Sequence, residues 1–213
     1  MPDRPPNTNP ESAQTRERLL DAAEKLFAEQ GFHCASVRDI TREAKCNIAS
    51  VNYHFGGKSN LYREVFLRRL RDLRERRLAR IAELRGGRPS LERLLGAFAS
   101  AFVDPLVGEG AGRRWVMLVS HELIDPQLPP ETFLGEMVEP VQGALAAAVS
   151  EAAPGIEYED ALLASQSLMG QLLHLVNLLR CPRSGPAPEL AELVDHTVRF
   201  SAAGIRSLQR VPA

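Results

Sequence analysis

Apolar side chains recur along this chain at helical spacing. Leu19, Leu20, Ala23, Leu26 and Phe27 fall at i, i+1, i+4, i+7 and i+8, which is one face of a helix. Thr15 precedes the run as an N-cap and Gly31 follows as a stop. A short helix is predicted from Ser36, with Asp39 three positions on and Val37, Ile40 and Ala44 on one side. Another starts at Asn47, a strong capping type, and ends before Gly56 and Gly57. Ser59 then caps a long helix, Asn60 to about Leu84, with Leu61, Val65, Leu70, Leu73 and Ile81 inward. Gly86, Gly87 and Pro89 break the pattern, and Ser90 caps a helix that aligns Leu91, Leu94, Leu95, Phe98 and Phe102.

Asp104-Pro105 and the following GEGAG predict a loop, Arg113 to Ile124 a helix, and Pro130 to Ala153 a helix kinked at Pro140. Two longer helices follow, about Tyr158–Arg180 and Ala187–Leu208, linked through Pro182 to Pro188. No long alternation of Val, Ile and Thr appears, so no strand is predicted and the fold class is all-α.

At 213 residues the chain makes one large domain or two small ones. Its 44% apolar and 25% charged residues exclude a disordered chain, a collagen or a disulfide-framework toxin. Cys34, Cys46 and Cys181 form no CxxC pair, so reduced thiols and a cytoplasmic location are expected. The amino-terminal stretch is polar and Pro-rich, without the apolar core of a signal peptide. Ala161 to Leu179 lacks charge, but Ser165, Gln166, Ser167, Gln171, His174 and Asn177 interrupt it. That favours a buried helix over a membrane span, and a helix apolar nearly all round must be covered on more than one side. A core helix that also meets a second subunit is expected.

The net charge of −1 conceals an asymmetry. Residues 1–90 carry 18 basic and 12 acidic side chains, a net +6; the remainder carries −7. A basic first part suggests a polyanionic partner, although seven arginines between Arg68 and Arg80 also fit a solvated helix.

Three fragments resemble catalytic motifs and fall short. Gly57-Lys58-Ser59 lacks the earlier glycine of a phosphate loop, because Asn52 stands there. His121-Glu122 begins like a zinc-protease motif, but Asp125 replaces the second histidine. Gly108, Gly110 and Gly112 lack the spacing of a dinucleotide site. No metal-ligand spacing occurs among the histidines and cysteines. No enzyme, metal or cofactor is expected.

The second and third predicted helices are separated by only a few residues, at Lys45-Cys46. Two short helices joined by a tight turn make a helix-turn-helix, whose second helix enters the major groove. Ala49 and Ser50 would let a backbone approach bases, and Asn52 suits a base edge or a phosphate. Tyr53 and His54 carry donors for phosphates; Lys58 and the free N–H groups beginning the next helix offer a further anion site. The alternative is a small helical core with Tyr53 packed inside.

The segment TRERLLDAAEKLFAEQGFHCASVRDITREAKCNIASVNYHFGGKSNLYREVF, Thr15 to Phe66, resembles the DNA-binding domain of the TetR family of bacterial transcriptional regulators. NYHFGGK and HELIDPQLPP resemble a CecR-like subgroup. The expected organisation is a disordered amino-terminal tail over residues 1–14, a three-helix helix-turn-helix DNA-binding domain over 15–60 and a helical effector-binding and dimerisation domain over 61–213. The resemblance implies that Ser36 and Arg38 hold phosphate, that Ile48, Ala49, Ser50 and Asn52 face the groove, and that Tyr53, His54 and Lys58 clamp phosphates. Lys45 stands where the family's turn usually has Gly, so Lys must accept a conformation that Gly takes freely; its charge offers a phosphate contact. The family pairs subunits through its last two helices, for which Leu168, Leu172, Leu175, Leu179, Leu190, Val194 and Val198 are candidates. Its effector cavity lies in the helices between. Phe98, Phe102, Trp115, Met117, His121, Phe133, Met137, Gln166, Met169 and His174 are candidate lining, or simply core. The reading is a homodimeric repressor of a palindromic operator, released by a small, largely apolar effector. The alternative is a helical protein-interaction adaptor.

Overall fold

In a computed structural model, residues 10–108, 110–178 and 189–210 are described. They form ten α-helices and one π-helical turn, with no strand among them. The helices are α1 (Pro10–Cys34), α2 (Val37–Glu43), α3 (Ala49–Phe55), α4 (Lys58–Gly86), α5 (Leu91–Val107), α6 (Ala111–Ile124), α7 (Pro130–Phe133), α8 (Glu139–Ala152), α9 (Tyr158–Leu178) and α10 (Leu190–Ser207). The π turn, Leu134–Val138, lies between α7 and α8. The predicted Pro182–Pro188 link, with Leu179, lies outside the described residues.

The chain divides into two compact units, cut differently from the expected 15–60 and 61–213. The first runs through Arg69 and then takes in Arg113–Pro129; the second comprises Leu70–Gly112 and Pro130 onward. A segment far along the sequence therefore completes the amino-terminal unit.

In the first unit, Leu19, Leu20, Ala23 and Phe27 of α1 are buried with Ile40 of α2, Val51 and Phe55 of α3, and Leu61, Val65 and Phe66 of α4. Thr15 is not the cap of α1. The helix begins at Pro10, so residues 10–14 are helical and not part of a disordered tail, and the Thr15 hydroxyl donates to the Glu11 carbonyl four residues back, a bond that lets threonine sit inside a helix. Gly31 breaks the helical path at φ 77°, and a Cβ there would stand 3.4 Å from His121 Nδ1.

In the second unit, α8 packs on α9, α9 on α10, and α10 and α9 on α5. The expected break at Asp104-Pro105 does not occur. Pro105 lies in the last turns of α5, which continues to Val107. The Pro105 carbonyl approaches Gly112 so closely that a Cβ on Gly112 would lie 2.5 Å from it. The kink expected at Pro140 takes the form of the π turn. Pro140 sits in the first turn of α8, and the Glu139 N–H bonds the Leu134 carbonyl five residues back. Pro140 lacks the N–H that would close on the Glu136 carbonyl; that carbonyl accepts from Arg74 Nη1 at 3.1 Å instead.

Candidate nucleic-acid interface

The α2–α3 corner is built by local rules. Ser36 caps α2 by accepting the Asp39 N–H at 3.1 Å, and its hydroxyl donates to the Asp39 carboxylate. That bond, with Arg42 nearby, holds the Asp39 carboxyl below its ordinary range. At the far end of α2 the Lys45 N–H bonds the Arg42 carbonyl and the Cys46 N–H bonds the Thr41 carbonyl. These are the paired bonds of a Schellman stop, and they require a left-handed residue between them. Lys45 takes that place at φ 52°. Asn47 then accepts the Ala49 N–H at 2.9 Å, so α3 starts slightly later than the sequence suggests while keeping its cap. Gly56, at φ 73°, ends α3.

The result is a two-sided helix. Val51 and Phe55 of α3 are buried, whereas Ala49 and Asn52 are exposed and Ser50 is half-buried. Ile48 is 49% exposed and Tyr53 71%. Tyr53 therefore does not occupy the small helical core, which was the competing reading of its sequence. Ser36, Arg38 and Lys45 are exposed as well.

His54 stacks edge-on against Tyr53 at 4.9 Å between ring centroids. Burial, then the Arg16 charge, pushes its pKa below the ordinary histidine value. Lys58 is half-buried. Its ammonium lies 4.5 Å from the centre of the Phe32 ring and 3.4 Å from the His33 carbonyl, and burial lowers its pKa.

Behind this face, α6 docks on α1 and α4 through contacts that the sequence did not disclose. Rings of Phe27, Tyr62, Phe66 and Trp115 follow one another with centroids 5.0–5.3 Å apart. Buried Glu24 accepts from Arg68 Nη2 at 3.0 Å and from Arg114 Nε at 3.3 Å. The residues that began like a zinc motif each have a protein partner. His121 Nε2 lies 3.2 Å from the Ala28 carbonyl. Glu122 accepts the Tyr62 hydroxyl at 2.8 Å and the N–H groups of Gln127 and Leu128. Asp125 lies 3.1 Å from His33 Nε2. Burial and then Glu122 raise the Tyr62 pKa far above its ordinary value. The HELID run reads in hindsight as a docking end, a role visible only through partners tens of residues away.

The candidate effector residues are divided between the two units. Trp115, Met117 and His121 belong to the first unit, while Phe98, Phe102, Phe133, Met137, Gln166, Met169 and His174 belong to the second. Phe98, Phe102 and Met137 are buried, Met169 is half-buried, and Phe133, Gln166 and His174 are exposed. Of the candidate pairing residues, Leu168, Leu172, Leu175 and Val198 are buried within the protomer, and Leu190 and Val194 are half-buried. Other apolar groups stand outward on the same two helices: Leu163 and Leu173 on α9 and Phe200 on α10. No single helix among the described residues is long and apolar enough to cross a membrane.

Two short helices joined by a left-handed stop, with an open polar face on the second, define a helix-turn-helix head joined to a second helical unit. Residues 19–65 match the family model described as bacterial regulatory proteins, tetR family, and residues 96–204 match the tetracyclin repressor-like C-terminal domain. The chain belongs to the TetR family of bacterial regulatory proteins.

It is 35% identical over 77 residues to the HTH-type transcriptional regulator UidR of Escherichia coli, covering 36% of this chain and 37% of that protein. It is 33% identical over 98 residues to the HTH-type transcriptional repressor KstR2 of Mycolicibacterium smegmatis, covering 46% of each. The matched stretch thus spans less than half the length of these curated relatives. In fold, the chain resembles a regulator assigned to the TetR family from Mesorhizobium loti, with a TM-score of 0.71 at 19% identity over 94% of this chain and 98% of that one. A transcriptional regulator from Rhodococcus sp. Rha1 aligns with a TM-score of 0.61 at 23% identity over 92% and 99%.

Proposed function

We propose that this protein is a ligand-responsive repressor that binds a palindromic operator as a homodimer in the cytoplasm. The observation that carries the reading is the open face of α3. Ala49, Asn52 and Tyr53, with Ile48 just before them, stand in solvent on a helix whose opposite side, Val51 and Phe55, is locked in the core. Small side chains admit the helix to a groove, and Asn52 supplies a paired donor and acceptor for a base edge. Ser36, Arg38 and Lys45 are exposed for backbone phosphates, and Tyr53, His54 and Lys58 add hydrogen-bonding or charged groups.

Outward Leu163, Leu173 and Phe200 on α9 and α10 support pairing with a second copy, and a two-fold dimer imposes a two-fold operator. The buried Phe98, Phe102 and Met137 of the second unit support an apolar effector site there. Family membership supports regulation over the enzymatic readings that the near-miss motifs invite. The HELIDP stretch supports placement in the CecR-like subgroup.

Selection of bound duplexes from a random pool tests the reading. Enrichment of an inverted repeat is the expected result. A pool that yields no enriched sequence, from protein shown to be folded, would favour the adaptor reading.

A further inference from the structure

Two arginines three residues apart on α4 are treated differently by the second unit. Arg74 reaches Glu136, pairing with its carboxylate at 3.0 Å and its carbonyl at 3.1 Å. Arg77 is only 4% exposed and has no carboxylate partner among the described residues. Its Nη1 faces the Met137 sulfur at 3.3 Å, its Nη2 the Phe102 carbonyl at 3.4 Å, and its Nε has no partner. The guanidinium lies over the Phe102 ring, 3.8 Å from the centroid. Burial depresses its pKa to about 10, which still leaves it a cation at neutral pH.

A buried charge without a counter-charge is costly, and a cation–π contact with a weak thioether acceptor does not replace a carboxylate. Arg77 also adjoins the π turn through Met137, and such turns occur often at functional sites. Phe102 and Met137 are among the buried apolar residues already assigned to the effector site. Met is the side chain best able to move aside for a ligand.

We propose that Arg77 anchors the negative end of the effector, an apolar monocarboxylate whose body lies against Phe102 and Met137. This rests on the reading of the protein as ligand-responsive, and it specifies the ligand. The planar fork of Arg suits the two oxygens of a carboxylate, and on its Nε–Nη2 edge Nε has no partner and Nη2 has only the 3.4 Å contact to the Phe102 carbonyl. One cation in an apolar shell balances one charge, so a dianionic phosphate would remain half uncompensated.

The test is binding of matched compounds to the full-length protein without DNA, by calorimetry and thermal shift. Octanoate, decanoate and 4-phenylbutyrate are each compared with their methyl ester and primary alcohol. Wild type is expected to bind at least one acid about tenfold or more tightly than its ester and alcohol, the scale of a charge-assisted pair. In folded Arg77→Met that preference should fall to about threefold or less, and Arg77→Lys should restore part of it. The acid–ester comparison on wild type stands even if a variant fails to fold. Equal binding of acids and esters, binding of none of the acids, or a preference that survives in Arg77→Met would each overturn the proposal. A wild type that prefers an acid yet binds no duplex would uphold the carboxylate site and sink the regulator reading; duplex binding with no acid preference would do the reverse.

Discussion

Several buried polar groups are held differently in the two units. In the first, Glu24, Tyr62, Glu122 and His121 lie within or at the edge of an aromatic core, and each meets a partner across α1, α4 or α6. In the second, the Arg77 Nε and the hydroxyls of Ser165 and Ser201 are buried with no hydrogen-bond partner. A satisfied buried network fixes one arrangement, whereas unsatisfied polar atoms mark a place where packing is not at its optimum. The difference suits the proposed roles, a head that presents a fixed face to a duplex and a second unit that admits an effector.

Phe66→Ala should give the largest effect. The ring is 1% exposed between Tyr62 and Trp115, and its loss should cost about 3–5 kcal/mol in urea unfolding. A loss below about 1 kcal/mol would mean that the aromatic core is not tightly filled, and the contrast would blur. Lys45→Gly should act in the other direction. Relief of the left-handed lysine at φ 52° should stabilise the protein by about 1 kcal/mol, read from the same unfolding curves. A destabilised Lys45→Gly would show that the turn is held by the side chain. The smallest effect is expected in the second unit. Ser165→Ala removes a hydroxyl with no partner and should be neutral or stabilising by about 0.5 kcal/mol. A cost above about 1 kcal/mol would reveal a hidden partner and make the two units alike.

The same contrast explains what was legible in the sequence. Caps at Ser36 and Ser90, the stop at Gly56 and the inward stripes of α1 and α5 are local, and the spacing displayed them. The exposed face of α3, proposed above to meet DNA, is equally local, because surface residues need no distant partner to be placed. Thr15 and Pro105 misled, because each looks like an element boundary in isolation, whereas the irregularity expected at Pro140 is present as the π turn just before it. A back-bond to Glu11 and a position near the end of α5 let the helices run on through them, and the Arg74–Glu136 contact satisfies the carbonyl that Pro140 leaves open.

Least legible was the placing of Arg113–Pro129 in the first unit. Trp115 and His121 look like pocket residues by type, yet their partners, Phe66 and the Ala28 carbonyl, are 49 and 93 positions away in the chain. Arg77 was hidden for a related reason. Within a run of seven arginines, composition offers no sign of which one is buried.

The central claim is that the open face of α3 reads duplex DNA, and Ala49→Glu tests it most directly. Ala49 is exposed, so the variant should keep the wild-type unfolding curve. Fluorescence anisotropy with a selected duplex should then show a loss of affinity of at least about a hundredfold, because a carboxylate enters the groove in both half-sites. An Ala49→Glu protein that is folded and binds the same duplex as tightly as wild type would contradict the account.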